Sequence, residues 1–90
     1  MALLIRQSSG FRRDIKRLRR QGVDLARLEL VVSALVEQEL LEERYRDHAL
    51  VGNWHGFREC HLQPDWLLIY RIENNELQLA RTGSHSELFS

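Results

Sequence analysis

The spacing of apolar residues changes once along this 90-residue chain, near residue 44, and that change constrains the fold more than any other feature. Before it the spacing is helical. Phe11, Ile15 and Leu18 recur at i, i+4 and i+7, followed by Leu25, Leu28, Val31 or Val32, Leu35 and Val36. Ser8 or Ser9 can cap the first helix and Gly22 ends it, while Asp24 caps a second that runs to the Glu-rich stretch at 39–43. The connection at 21–24 is short enough to fold the two into an antiparallel hairpin. Residues 45–56, with Asp47, His48, Gly52, Asn53 and Gly56, read as a long loop. Beyond it, 56–62, 66–72 and 76–82 read as strands joined by turns at Gln63-Pro64-Asp65 and Asn74-Asn75.

A strand at 3–6, bounded by Ser8-Ser9-Gly10, precedes the hairpin, and Ser84-His85-Ser86-Glu87 has the form of a capping box that starts a short helix ending at Phe89. The order predicts an α+β two-layer domain over 1–90, with the N-terminal strand and helical hairpin packed on one face of a mostly antiparallel sheet. The other face of the sheet is left open. In the 66–72 run, Trp66, Leu68, Tyr70 and Ile72 share one side and Leu67, Ile69 and Arg71 the other, so both sides carry bulk, as in a central strand.

Hydrophobic residues make up 43% of the chain and charged residues 29%, which fits a globular domain rather than a disordered or membrane-spanning one. A single cysteine, Cys60, precludes an internal disulfide and fits a reducing cytosol; it reads as a small buried hydrophobe. The N-terminus lacks the charged region and long apolar stretch of an export signal, so a cytoplasmic location is expected. Net charge is zero but unevenly placed. Residues 1–28 hold eight basic groups against Asp14 and Asp24, whereas 29–48 sum to −4 and the remainder to −2. The positive first third points to a polyanion partner, or to a helix face carrying arginines for solubility.

Imidazole can both take and give a proton near neutrality, so the four histidines matter. His48 precedes the strands, His61 lies near the end of one with Asp65 across the turn, and His85 follows the last strand, close to Arg81. Their spacings of 13 and 24 residues, leaving out the loop residue His55, match no local metal motif. A group of histidines, a carboxylate and an arginine suits phosphodiester cleavage by internal attack of a ribose 2′-OH, with Arg81 on the charged phosphorane. Arg81 could instead form a cross-strand ion pair with Glu59 or Glu76. Trp54, Trp66 and Phe89 could stack on bases, although Trp66 at a strand start suits a core and Phe89 could equally pack on the sheet as a lid.

Asp47-His48-Ala49-Leu50, Gly52-Asn53-Trp54-His55-Gly56-Phe57-Arg58, the run 61–70 from His61 to Tyr70, and the run 81–89 from Arg81 to Phe89 together resemble the YafQ branch of the RelE superfamily of type II toxin–antitoxin toxins. The resemblance implies a ribosome-dependent mRNA endoribonuclease that cuts the A-site codon without a cofactor or metal, inhibits translation, and pairs with a cognate antitoxin in a hetero-oligomer. It places the catalytic site on His48, His61, Asp65, Arg81 and His85, with Trp66 and Phe89 beside the substrate. His85 is then the general acid, His61 with Asp65 the base, Arg81 the phosphate ligand and His48 a second proton-transfer or positioning group. Arg12, Arg13, Lys16, Arg17, Arg19 and Arg20 would meet ribosomal RNA through its phosphates. The family is commonly more basic than this chain and often has Lys where His55 stands. A non-catalytic binding module or a gyrase-poisoning toxin on the same fold is the alternative, and would not need the set of proton-transfer groups.

Overall fold

A computed structural model describes residues 2–89. Strand β1 (Leu4–Gln7) leads into helices α1 (Ser9–Arg20) and α2 (Ala26–Val36). Strands β2 (His48–Ala49), β3 (Arg58–Gln63), β4 (Trp66–Glu73) and β5 (Glu76–Gly83) follow, and helix α3 (His85–Phe89) closes the chain. The five strands form one sheet in the order β1-β5-β4-β3-β2, with β1 parallel to β5 and every other pair antiparallel. The two-layer α+β architecture expected from the pattern is the one observed.

Each boundary has a local cause. Ser8 Oγ accepts the Phe11 N–H at 2.9 Å and starts α1. Asp24 does not cap α2 as expected: the cap position is Leu25, and Asp24 Oδ1 accepts the Ala26 N–H at 3.0 Å from one residue earlier. Gln38, at φ 58°, turns the chain out of the helix, so α2 stops before the Glu-rich stretch it was expected to reach. Asn74 and Asn75, both at positive φ, form the tight turn between β4 and β5. The loop at 45–56 is more ordered than expected. It holds the strand β2 and a single 3-10 turn, Gly52–Trp54, and a second 3-10 turn, Glu43–Tyr45, leads into it.

Phe11, Leu18, Leu28, Val31 and Leu35 from the helices meet Cys60, Leu62, Trp66, Leu68, Tyr70, Leu77 and Leu79 from the sheet in the main core. Burying each large side chain contributes about 1.5–3 kcal/mol. The opposite face, expected to be open, is partly covered instead: Leu67 and Ile69 pack under Leu88 of α3 and are bordered by Leu50, Trp54 and Phe57. By alternation Glu59 and His61 share that face of β3, so the short last helix lies over the same side of the sheet that carries the β3 imidazole. No described helix is long and apolar enough to cross a membrane.

Candidate active site

β2 is only two residues long, yet it fixes the site. Its pairing places His48 opposite Glu59, and His61 follows Glu59 by two residues on β3. Asp47 anchors the segment by accepting from the Tyr70 hydroxyl at 2.6 Å and Arg58 Nε at 3.1 Å. Burial together with the neighbouring Asp47 carboxylate raises the Tyr70 hydroxyl above its ordinary value, keeping it a donor. Arg46, in the left-handed region at φ 48°, turns its carbonyl toward His48, whose Nδ1–H donates to it at 2.6 Å. A carbonyl oxygen can only accept, so the His48 tautomer is set at Nδ1.

The imidazoles form a row. Ring centroids of His48 and His61 are 6.2 Å apart, those of His61 and His85 5.9 Å, and the Phe89 ring lies 6.1 Å beyond His85. Glu59, 5% exposed, bridges the first two rings, with Oε2 at 3.3 Å from His48 Nε2 and 3.5 Å from His61 Nε2. Asp65 lies at the His85 end: its Oδ1 accepts the His85 backbone N–H at 3.1 Å and is 3.3 Å from His85 Nδ1. Those hydrogen bonds lower the Asp65 carboxyl below its ordinary value. The expected pairing of His61 with Asp65 is therefore corrected. Asp65 orients His85, which follows it across the sheet end, while the carboxylate beside His61 is Glu59, the residue expected only as a partner for Arg81.

Arg81 is held elsewhere. Its Nε and Nη2 reach Asp14 Oδ2 and Oδ1 at 2.6 and 3.0 Å, so the expected ion pair with Glu59 or Glu76 does not form; Glu76 pairs with Arg6. Ala80 is skipped in the β4–β5 pairing, and this bulge alters the facing of Arg81 and Thr82 relative to a regular strand. Asp14 also accepts from Arg17 Nη1 at 2.7 Å and the Thr82 N–H at 3.0 Å. Burial would raise the Asp14 carboxyl, but the hydrogen bonds from Arg81, Arg17 and Thr82 outweigh it and hold the group below its ordinary value. Among the described residues no hydrogen bond or ion pair joins Arg81 to a histidine, and its Nη1 takes no part in the Asp14 pairing.

Two further expectations change. The Trp66 indole is buried and donates its N–H to Thr82 Oγ1 at 2.9 Å, so it packs in the core and offers no free face to a base. Arg17 is turned from the expected RNA face into the ion network with Asp14 and Glu87, whereas Arg12, Arg13, Lys16, Arg19 and Arg20 are exposed. Phe89 is 44% exposed beside His85, and Leu88 is the residue that packs on the sheet. Trp54 is half-buried, edge to face with Phe57 at 5.3 Å. Cys60 is fully buried, and burial with nearby acids pushes its thiol up to about 12, which removes it as a nucleophile.

His61 and His85 line an open cleft of about 700 Å³ whose other walls include Arg27, Arg44, Arg46, Tyr45 and Pro64. The cationic wall was not visible in the charge count, because Arg44 and Arg46 sit inside the block that sums to −4. Three imidazoles with two carboxylates, beside such a wall, can exchange protons with a bound polyanion. His48, Glu59 and His61 also bring their ligand atoms within 4.8 Å of one another, a donor set chemically suited to a zinc- or copper-type cation.

Residues 3–90 match the family described as bacterial toxin of type II toxin–antitoxin system, YafQ. The chain is 36% identical over 86 residues to the mRNA interferase toxin YafQ of Escherichia coli K12, covering 94% of each chain. It superposes on YafQ in the crystal structure of the E. coli DinJ–YafQ toxin–antitoxin complex with a TM-score of 0.90, at 33% identity and 100% coverage of both chains. A metal-bound toxin from Helicobacter pylori matches with a TM-score of 0.90, 48% identity, and coverage of 97% of this chain and 99% of that one.

Proposed function

The chain belongs to the YafQ family of bacterial type II toxins, within the RelE superfamily, and on that premise we propose that it is an mRNA endoribonuclease that cuts the A-site codon on the ribosome. The row of His48, His61 and His85 with Glu59 and Asp65 carries the proposal. A base takes the proton from a ribose 2′-OH. The oxygen attacks the adjacent phosphorus, the bond to the 5′-oxygen breaks, and an acid protonates that leaving oxygen, giving a 2′,3′-cyclic phosphate and a free 5′-hydroxyl.

His61, backed by Glu59, is the base, and His85 is the acid. Asp65 accepts from Nδ1–H of His85 and leaves its Nε2 as the reacting nitrogen. His48 shares Glu59 with His61 and supplies a second proton-transfer or positioning group. Arg81, aligned by Asp14, stabilises the phosphorane charge. Arg27, Arg44 and Arg46 neutralise phosphates along the cleft, and Phe89 stacks on a base beside His85. No resident metal is needed for these proton transfers. The exposed Arg12, Arg13, Lys16, Arg19 and Arg20 meet ribosomal RNA phosphates, which predicts binding that weakens steeply with salt. A cognate antitoxin encoded with the toxin holds it in a cytoplasmic hetero-oligomer, in keeping with the DinJ complex of the E. coli relative.

The test is cleavage of a defined mRNA on programmed ribosomes, with free RNA as control, comparing wild type, His85→Ala and Arg81→Ala at equal folded protein. Cuts confined to ribosome-bound mRNA and lost in both variants are expected. No cleavage by well-folded wild type would overturn the reading and favour a binding module on the same fold.

A further inference from the structure

We propose that Arg44, folded over the Tyr45 ring, is a stacking platform for one base of a single-stranded RNA. Tyr45 ends the 3-10 turn Glu43–Tyr45 and is 5% exposed, its ring being part of the main core. Arg44 lies over that ring with Cζ 5.0 Å from the centroid. Its Nη2 donates to the Tyr45 hydroxyl at 3.2 Å, and its Nε pairs with Glu42 Oε2 at 3.2 Å. Contacts to a ring, a hydroxyl and a carboxylate together fix the plane of the guanidinium. One face rests on the tyrosine, while 59% of the side chain stays in solvent, so the other face is open.

A guanidinium is weakly hydrated and makes its hydrogen bonds through its edge. Two of the three edge nitrogens of Arg44 are already engaged. Its charge still counts toward the cationic wall, but the open face offers something more, a delocalised plane on which nucleobases stack as they do on aromatic rings. A bound base would be the third layer over Arg44 and Tyr45. A lysine at this position would bring the same charge to a phosphate and no plane to a base.

The platform belongs to the cleft of about 700 Å³ that His61 and His85 also line, where Leu62 and Pro64 add apolar surface. Arg27 and Arg46 of the same cleft stay available to phosphates. The effect on cleavage rests on the ribonuclease reading above, because the platform would be a substrate subsite of that reaction. Base binding itself stands apart from it.

The first arm of the test is a nuclear magnetic resonance titration of the isotope-labelled chain with adenosine 5′-monophosphate and, separately, with ribose 5-phosphate, which keeps the sugar and phosphate but has no base. The ring current of a stacked base should move the Arg44 Nε–H signal upfield. Read at the Tyr45 amide, the nucleotide should bind at least about fivefold more tightly than ribose 5-phosphate. Arg44→Lys should remove that difference and leave ribose 5-phosphate binding close to wild type. Circular dichroism melts keep misfolded variants out of the comparison. Equal affinity for the two ligands, an undiminished preference in Arg44→Lys, or ring-current shifts confined to Phe89 would overturn the platform. In the second arm, ribosome-dependent cleavage by Arg44→Lys should show a KM raised by a similar factor at unchanged kcat, the mark of an interaction made equally in ground and transition states. A fall in kcat at unchanged KM would overturn the subsite role. If the wild type does not cleave while the nucleotide still shifts Arg44, the ribonuclease reading fails and the base site stands.

Discussion

Asp14 and Asp65 are both carboxylates held below their ordinary range by neighbouring donors, yet they serve opposite kinds of structure. Asp14 is 2% exposed and takes four hydrogen bonds from Arg17, Arg81 and the Thr82 N–H, two of its three partners being permanent cations. Asp65 is exposed, and among the described residues its hydrogen bonds go to His85 alone, through one backbone and one ring nitrogen. The first is an anchor of fixed charge between α1 and β5. The second belongs to a solvent-facing rim whose imidazoles, in the proposed mechanism, change charge during the reaction. In the proposed mechanism the phosphate ligand gains from immobility, whereas the acid has to meet its substrate and be reprotonated, and the burial of one network and exposure of the other are in keeping with those roles.

The largest expected effect lies at the rim. His85→Ala should lower cleavage by about 10²–10⁴-fold, the usual contribution of a general acid, and should shift stability by no more than about 0.5 kcal/mol because the side chain is 55% exposed. Single-turnover cleavage alongside urea unfolding checks both halves. A matching loss of stability would erase the distinction between rim and anchor.

At the anchor the order reverses. Asp14→Asn keeps the shape but offers one acceptor oxygen and a donor where two guanidinium groups and a backbone N–H point. About 3 kcal/mol of stability should go, toward the low end for a broken buried pair because Arg17 and Arg81 keep 29% and 30% of their side chains in water. The Tm should fall by about 12 °C or more. Cleavage should drop as well, through misplacement of Arg81, and Arg81→Lys should share that kinetic defect because a lysine cannot make the paired contact with the carboxylate. An Asp14→Asn protein as stable as wild type would show that the network is incidental.

Most of the fold was legible because it depends on local chemistry. The Phe11, Ile15 and Leu18 stripe, the Ser8 cap, the Asn74-Asn75 turn and the reciprocal bonds between Ser84 and Glu87 all act within a few residues. Of the rim, His48, His61, His85 and Asp65 were legible as candidates, but Glu59 and the pairing were not. Asp65 looks near to His61 along the chain, yet the turn separates them and brings the carboxylate to His85, while Glu59 reaches two histidines through a two-residue strand with no periodic signal of its own. The anchor was hidden altogether. Asp14 sits in a run of arginines that reads as a solvated face, and its role depends on a bulge at Ala80 that no turn residue announces.

Acid titration separates the two carboxylates at a smaller scale. Because the folded Asp14 carboxyl lies below its ordinary value of 3.8, it contributes stability that is present above that pH and lost as pH falls through the lower folded value. Wild type should therefore lose stability below about pH 4, and Asp14→Asn, having no such proton to take up, should lose less over the same window. Asp65→Asn should leave the acid limb close to that of wild type, since its contact is fully exposed. Equal flattening in both variants, measured by urea unfolding at stepped pH, would put the acid sensitivity elsewhere.

The smallest effect tests the bridge between anchor and rim. Arg17 donates to Asp14 and also pairs with Glu87 of α3, Nε to Oε2 at 3.0 Å, so one side chain links the buried carboxylate to the helix that carries His85 and Phe89. Gly83 makes that approach possible, because a Cβ there would lie 2.7 Å from Arg17 Nη2. Glu87 Oε1 also accepts the Ser84 N–H at 2.8 Å, a contact that glutamine can keep. Glu87→Gln thus removes the charge and leaves the cap. The loss should be about 0.5 kcal/mol, as for other solvent-touching ion pairs, and should appear as faster hydrogen exchange at the Leu88 amide, which is bonded to the Ser84 carbonyl, with the α1 amides unchanged. Faster exchange in α1 as well would mean that the anchor leans on α3, and the two regions would then have to be treated as one cooperative unit.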